Sequence, residues 1–167
     1  MPKTYEPIAT QTLGSAAASV TFSSIPSAYT DLVLVMEFSL NAANDSVFIR
    51  FNGDTATNYS DTALSGNGTS AVSGRDTSSS VGIRLTGWNT AQGASTRQMN
   101  VVNIMNYANA TTLKTVLSRY SSVGGTEAFV GLWRKTPEAI NSFVLRFSGA
   151  ANFESGSSFT LYGIKAA

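Results

Sequence analysis

The sequence predicts an all-β protein, a single antiparallel β-sandwich, on three observations. Apolar residues recur with period two in short runs, and turns dense in Gly, Ser and Asn separate those runs. No segment carries the three-to-four periodicity of an amphipathic helix. At 167 residues the chain has the length of one domain, residues 1–167. A chain of that size can bury about 70% of its unfolded surface without covalent staples.

Taken in order, Tyr5 to Leu13 mixes β-formers with Thr and Gln, and Pro7 restricts it to an edge strand or an extended arm over residues 1–13. Ala18 to Phe22 is a short alternating strand. Asp31 to Ser39 is almost continuously apolar, as expected of a strand covered on both sides or sitting in the sandwich centre. Val47 to Phe51 is the next strand and leads into Asn52-Gly53 turn chemistry. Residues 55–80 are rich in Ser, Thr and Gly, with only Tyr59, Leu64 and Val72 as larger apolar groups. Such a stretch reads as a long surface excursion. Val81 to Trp88 resumes extended structure. Gln98 to Tyr107 and Leu113 to Tyr120 are joined by a short loop and form a hairpin. Ala128 to Arg134, Ile140 to Phe147 and Phe153 to Ile164 complete about ten strands. Of the closed β architectures a jelly roll fits this count best and an immunoglobulin-like sandwich second. No fixed repeat points to a propeller or solenoid.

Composition narrows the function. Charged residues are 13% of the chain against the roughly 25% usual for soluble domains, and the net charge is +1. Basic residues scattered singly create no field for a phosphate backbone, which argues against nucleic acid as a partner. No run approaches the 18 or so apolar residues of a membrane span, and the opening residues lack the apolar stretch of a signal peptide. Low charge gives weak protection against self-association, which favours life in an assembly.

The chain has no histidine and no cysteine. The commonest general base, the commonest metal ligand and thiol chemistry are therefore missing, and the expectation is a non-enzyme without cofactor, catalytic residue or metal site. Asp54 and Asp61 are the carboxylates that could serve a glycosidase. Their turn-rich setting favours loop bracing instead. The spacing matches no calcium loop. Glu127, Glu138 and Glu154 stand alone and read as solvated rim charges. Trp133, flanked by Phe129 and Leu132, reads as core. Trp88 and Tyr59 are candidate partner or glycan anchors. The arginines Arg50, Arg84, Arg97, Arg119 and Arg146 lie in or beside strands, where they keep an outer face wet or dock on a neighbouring subunit.

Arg50-Phe51-Asn52-Gly53-Asp54 followed by Asn58-Tyr59-Ser60, the closing Gly156-Ser157-Ser158-Phe159-Thr160-Leu161-Tyr162-Gly163-Ile164, and the opening Tyr5-Glu6-Pro7-Ile8-Ala9 resemble small structural proteins of tailed bacteriophages. That family comprises jelly-roll decoration or cement proteins of the capsid and accessory domains of tails and tail fibres. The resemblance implies a virion protein assembled in the host cytoplasm, with the major capsid protein or other virion proteins as partners. A homo-oligomer is the default for such proteins. Tyr5, Pro7 and Ile8 on the arm, with Tyr59 and Trp88, are then the expected partner contacts. A tail location would add host-surface glycans.

Overall fold

The computed structural model describes residues 4–88 and 92–165, and every regular element among them is a strand. In chain order these are β1 (Tyr5–Thr12), β2 (Ser19–Phe22), β3 (Asp31–Phe38), β4 (Val47–Phe51), β5 (Tyr59–Gly66), β6 (Ala71–Ser79), β7 (Ile83–Arg84), β8 (Gln98–Met105), β9 (Lys114–Ser122), β10 (Gly125–Trp133), β11 (Phe143–Phe147) and β12 (Ser158–Ile164). They form an antiparallel eight-stranded sheet, ordered β1-β12-β3-β8-β9-β10-β5-β6, and a four-stranded sheet, ordered β2-β11-β4-β7.

The pairing is nested. With the hairpins β5–β6 and β9–β10 set aside, the first strand pairs with the last, β1 with β12. The second then pairs with the second-last, β2 with β11. The third and fourth follow, β3 with β8 and β4 with β7. A long hairpin rolled so that successive pairs fall in alternate sheets is a jelly roll. The two extra hairpins both add to the same sheet, beyond β8.

Alternation selects the faces. On β3, Leu32, Leu34, Met36 and Phe38 point inward, and on β12 Phe159 and Leu161 do the same. They meet Phe143, Leu145 and Phe147 of β11 and Val47, Ile49 and Phe51 of β4. Phe153 stands between the sheets, 5.7 Å from Phe38, 4.5 Å from Phe147 and 5.0 Å from Phe159 between ring centres. These tilted and edge-on contacts are the arrangements aromatic quadrupoles favour.

One open alternative is decided and one expectation corrected. Of the edge strand and the extended arm, the first residues form the edge strand: β1 closes the large sheet, paired with β12 from Tyr5–Ile164 to Thr12–Ser158 and bulged beside Pro7. A proline is tolerated there because an edge strand has one unpaired side. Residues 55–80 are no loose excursion, since β5 and β6 form a paired hairpin. Its turn is capped by Asn67, whose Oδ1 accepts from the Thr69 and Ser70 amides at 3.0 and 2.8 Å.

The short sheet stops at β7, so the inner face of β9, β10, β5 and β6 needs another cover. β7 with residues 85–88 and 92–97 supplies it. Ile83 lies directly on Gly131 of β10, where an added Cβ would sit 2.1 Å from Ile83 Cγ2 and 3.1 Å from Ile83 Cβ. Only a glycine permits that approach. Gly131→Ala is expected to push β7 off β10 and lower stability by about 1–3 kcal/mol, the usual cost of overpacking. Urea unfolding checks it; an unchanged midpoint would show that the Ile83 contact is not tight.

Candidate interaction surface

The carboxylates singled out by sequence are braces. Asp54 accepts hydrogen bonds from the Ala56 amide (3.0 Å), Asn58 Nδ2 (2.9 Å) and Trp133 Nε1 (2.7 Å). Burial alone would raise its carboxyl, but the bonds from Asn58, Trp133 and Ala56, with Lys135 nearby, hold it below the usual carboxylate range. Asp61 is on β5, points inward and is 4% exposed. It accepts from the Arg84 amide at 3.2 Å and faces Asp76 across the hairpin. Burial pushes its carboxyl up, Asp76 adds to that, and Arg84 partly offsets it. Each acid is thus engaged in a separate structural task.

Glu127 corrects a further expectation. It is buried, not a rim charge, and its Oε2 accepts from the Gly87 and Trp88 amides at 2.7 and 3.2 Å. Beside it the Leu85 carbonyl accepts from Asn100 Nδ2 and Ser118 Oγ, both at 2.9 Å. These bonds fasten residues 85–88 to the inner face. Glu138 is partly exposed, and its carboxyl is held low by Asn52 Nδ2 at 2.9 Å and by Lys135. Glu154 is tied to Ser95 Oγ at 2.7 Å. Among the described residues no cluster of three or more His, Cys, Asp or Glu side chains could hold a metal ion.

Most of the expected partner contacts turn inward. Tyr59 is fully buried, stacked 6.4 Å from Trp133, and its hydroxyl donates to the Asp54 carbonyl at 3.1 Å. Desolvation raises its phenol far above the ordinary value. It is a core residue because β5 belongs to the sheet. Trp88 is half-buried, and its ring lies on the inner side of β6 where Gly74 leaves room; an added Cβ there would be 1.9 Å from the indole. Ile8 packs against the core. Tyr5 and Pro7 remain exposed at the sheet edge, with the Tyr5 ring edge-on to Tyr162 at 6.5 Å.

The surface that sequence reading missed is the outer face of the large sheet. Val35, Val101, Arg119, Ala128 and Leu64 stand directly opposite one another across β3, β8, β9, β10 and β5. The next row on one side contains Glu37, Met99 and Ser121, and on the other Val33, Leu117 and Val130. Leu64, Met99 and Val130 are 58%, 51% and 52% exposed. Leu64, Met99, Val101, Arg119 and Ala128 line a shallow hollow of about 560 Å³. A second hollow at Glu37, Arg97 and Val123 and a third at Arg75, Val130 and Leu132 adjoin it on this face. The signal was present in β3, whose unbroken apolar run suits cover on both sides. Among the described residues only its inner side receives a second layer.

The face is thinly charged. Arg119 has no hydrogen-bond or ion-pair partner among the described residues. Glu37 reaches only Arg97, at 4.0 Å, with both side chains at least half exposed. A pair of that geometry contributes little. Arg50 donates to the Ser80 and Val81 carbonyls, Arg84 lies 5.3 Å over the Phe48 ring and Arg97 donates to the Gly156 carbonyl, whereas Arg146, like Arg119, has no hydrogen bond or ion pair among the described residues. No protein-family model and no curated protein matches this chain.

Asp61 gives a pH test. Folding raises its pKa, so the folded chain keeps a proton that the unfolded chain releases, and stability falls as pH climbs through that interval. Asp61→Asn is expected to raise the urea midpoint at pH 7. The gain should shrink as pH drops into the carboxylate range. A variant less stable than wild type at pH 7 would show that the Arg84 contact outweighs desolvation.

Proposed function

We propose that this chain is a non-enzymatic structural protein of a tailed-phage virion, a decoration or cement protein that binds the assembled capsid shell. The observation that carries the reading is the broad, apolar, sparsely charged outer face of the eight-stranded sheet. An apolar patch of that breadth marks an interaction surface more often than an idle one. The chain's few acids support it, since Asp54 braces its own turn and Asp61 and Glu127 hold Arg84, Gly87 and Trp88 in place. The similarity of its opening, middle and closing segments to phage structural proteins supplies the setting.

The action is linkage. A protein that binds the closed shell and not its free subunits stabilises the shell by mass action, by about 2.7 kcal/mol per site when its free concentration is a hundred times Kd. Summed over many sites, modest affinity suffices. Placement in a tail, with glycans stacked on Tyr59 and Trp88, loses its aromatic platform, because both rings are turned into the fold.

Densitometry of purified virions is expected to give a copy number comparable to that of the major capsid protein. Shells stripped of the protein should rupture at lower temperature and milder osmotic shock, and added protein should restore them. Leu64→Lys, which places a charge on the outer face without touching the core, should weaken restoration at least tenfold in required concentration. Stripped shells as robust as intact ones would sink the cement role.

A further inference from the structure

The outer face carries two charged groups on either side of its middle strand β8, of opposite sign and both poorly satisfied. Arg119 projects from β9 without a partner, and Glu37 projects from β3 with only a 4.0 Å contact to Arg97. Between them runs β8, whose Met99 is directly opposite Glu37 and whose Val101 is directly opposite Arg119. Met99 borders two of the hollows. β8 is the fourth of eight strands, so this point lies near the middle of the sheet's width, toward the end at which β3 stops and β8 begins.

We infer that the outer face is covered by a second copy of this chain, related by a twofold axis that lies in the interface over Met99 and Val101. The inference rests on reading this face as an interaction surface and names its occupant as a second copy, so it is the dimer, through its remaining surfaces, that engages the shell. A twofold axis midway between Glu37 and Arg119 brings Glu37 of each protomer over Arg119 of its partner. One symmetry operation thereby satisfies both stranded charges twice. Isologous contacts have this property: a patch that holds two complementary groups on either side of its centre is complementary to itself.

Size agrees with this occupant. Eight strands at about 4.8 Å spacing and about 26 Å long present roughly 900 Å². A standard stable interface takes about 800 Å² from each partner. Shape agrees as well. A twisted sheet is saddle-shaped, hollow along one diagonal and raised along the other. Two such faces packed at a crossing angle place the raised diagonal of one in the hollow of the other. Met99 suits the axis, where identical side chains meet, because an unbranched thioether adapts its rotamers. A net charge of +1 leaves almost no long-range repulsion between copies.

Sedimentation velocity of the full chain from about 1 to 100 µM should show a reversible dimer, an affinity expected of an interface this size. Arg119→Glu and Glu37→Arg should each raise the dimer Kd at least about tenfold, and the double variant should return it to within about threefold of wild type. Both positions are exposed, so unchanged circular dichroism and urea midpoints verify that the variants fold. The chain has no cysteine, so Met99→Cys introduces a single thiol. A short bismaleimide should link it into covalent dimers, and should not link Ser73→Cys at the far edge of the sheet. A monomer at about 100 µM, or a dimer indifferent to Arg119→Glu, overturns the inference. A monomer that still coats stripped shells overturns the inference alone, whereas a dimer that ignores shells overturns only the virion role.

Discussion

Four strands at about 4.8 Å spacing cover half the width of eight, and this mismatch governs the chemistry of the interior. Where the small sheet reaches, the large one is lined by Leu34, Phe38, Phe159 and Leu161. From β8 outward the lining also carries Asn100, Ser118, Asp61 and Glu127, set among Tyr59, Tyr120, Phe129 and Trp133, because part of the cover there is irregular backbone with amides and carbonyls to satisfy. A buried polar group without a partner costs more than its hydrogen bond returns. The side chains that fix Leu85, Gly87 and Trp88 therefore have to be polar. The Glu127 carboxylate, with two backbone amides on one oxygen, is the strongest of these fasteners, since bonds to ionised acceptors are about twice as strong as neutral ones.

The same division separates what was legible in the sequence from what was not. β3, β11 and β12 face another sheet, so their inward positions had to be large and apolar, and period-two alternation exposed them. On β5 the inward positions are Tyr59, Asp61, Ala63 and Ser65, and on β6 Gly74 must be small enough to admit the Trp88 ring. Read by hydrophobicity these residues look like loop, although their spacing is that of a strand. Glu127 looked like a rim charge for the same reason. Its partners are backbone amides some forty residues earlier in the chain, and these have no signature in the sequence. The arm was ambiguous on physical grounds: Pro7 is compatible with any strand that has one free side, and only β12, at the other end of the chain, decides between arm and edge.

The outer face was half legible. The unbroken apolar run in β3 called for cover on two sides, and the chain provides one. Val35 and Val101 could be read as strand residues, but their alignment with Arg119, Ala128 and Leu64 follows from register across five strands, which single-strand patterns do not encode. Charge sharpens the point. Exposed single arginines usually keep a sheet face wet, as Arg75 does near the rim. Arg119 instead sits between Val101 and Ala128, where solvation competes with apolar neighbours on both sides.

The two added hairpins acquire a reason from that geometry. Without β5–β6 and β9–β10 the larger sheet would hold only β1, β12, β3 and β8, a face of roughly 450 Å² by strand spacing and about half of what a stable association takes from each partner. It would also lack Arg119, Ala128, Leu64 and Val130, all of which lie on the added strands. Both insertions extend the same sheet on the same side, and their outward residues are mostly small, apolar or uncharged apart from Arg119 and Arg75, while Ser118 and Glu127 on their inner side fasten residues 85–88. Widening one face has a cost, namely an overhang that the small sheet cannot cover. The polar side chains beneath it, set among Tyr59, Tyr120, Phe129 and Trp133, satisfy the backbone that covers the overhang and so make a surface of that breadth compatible with a folded jelly roll.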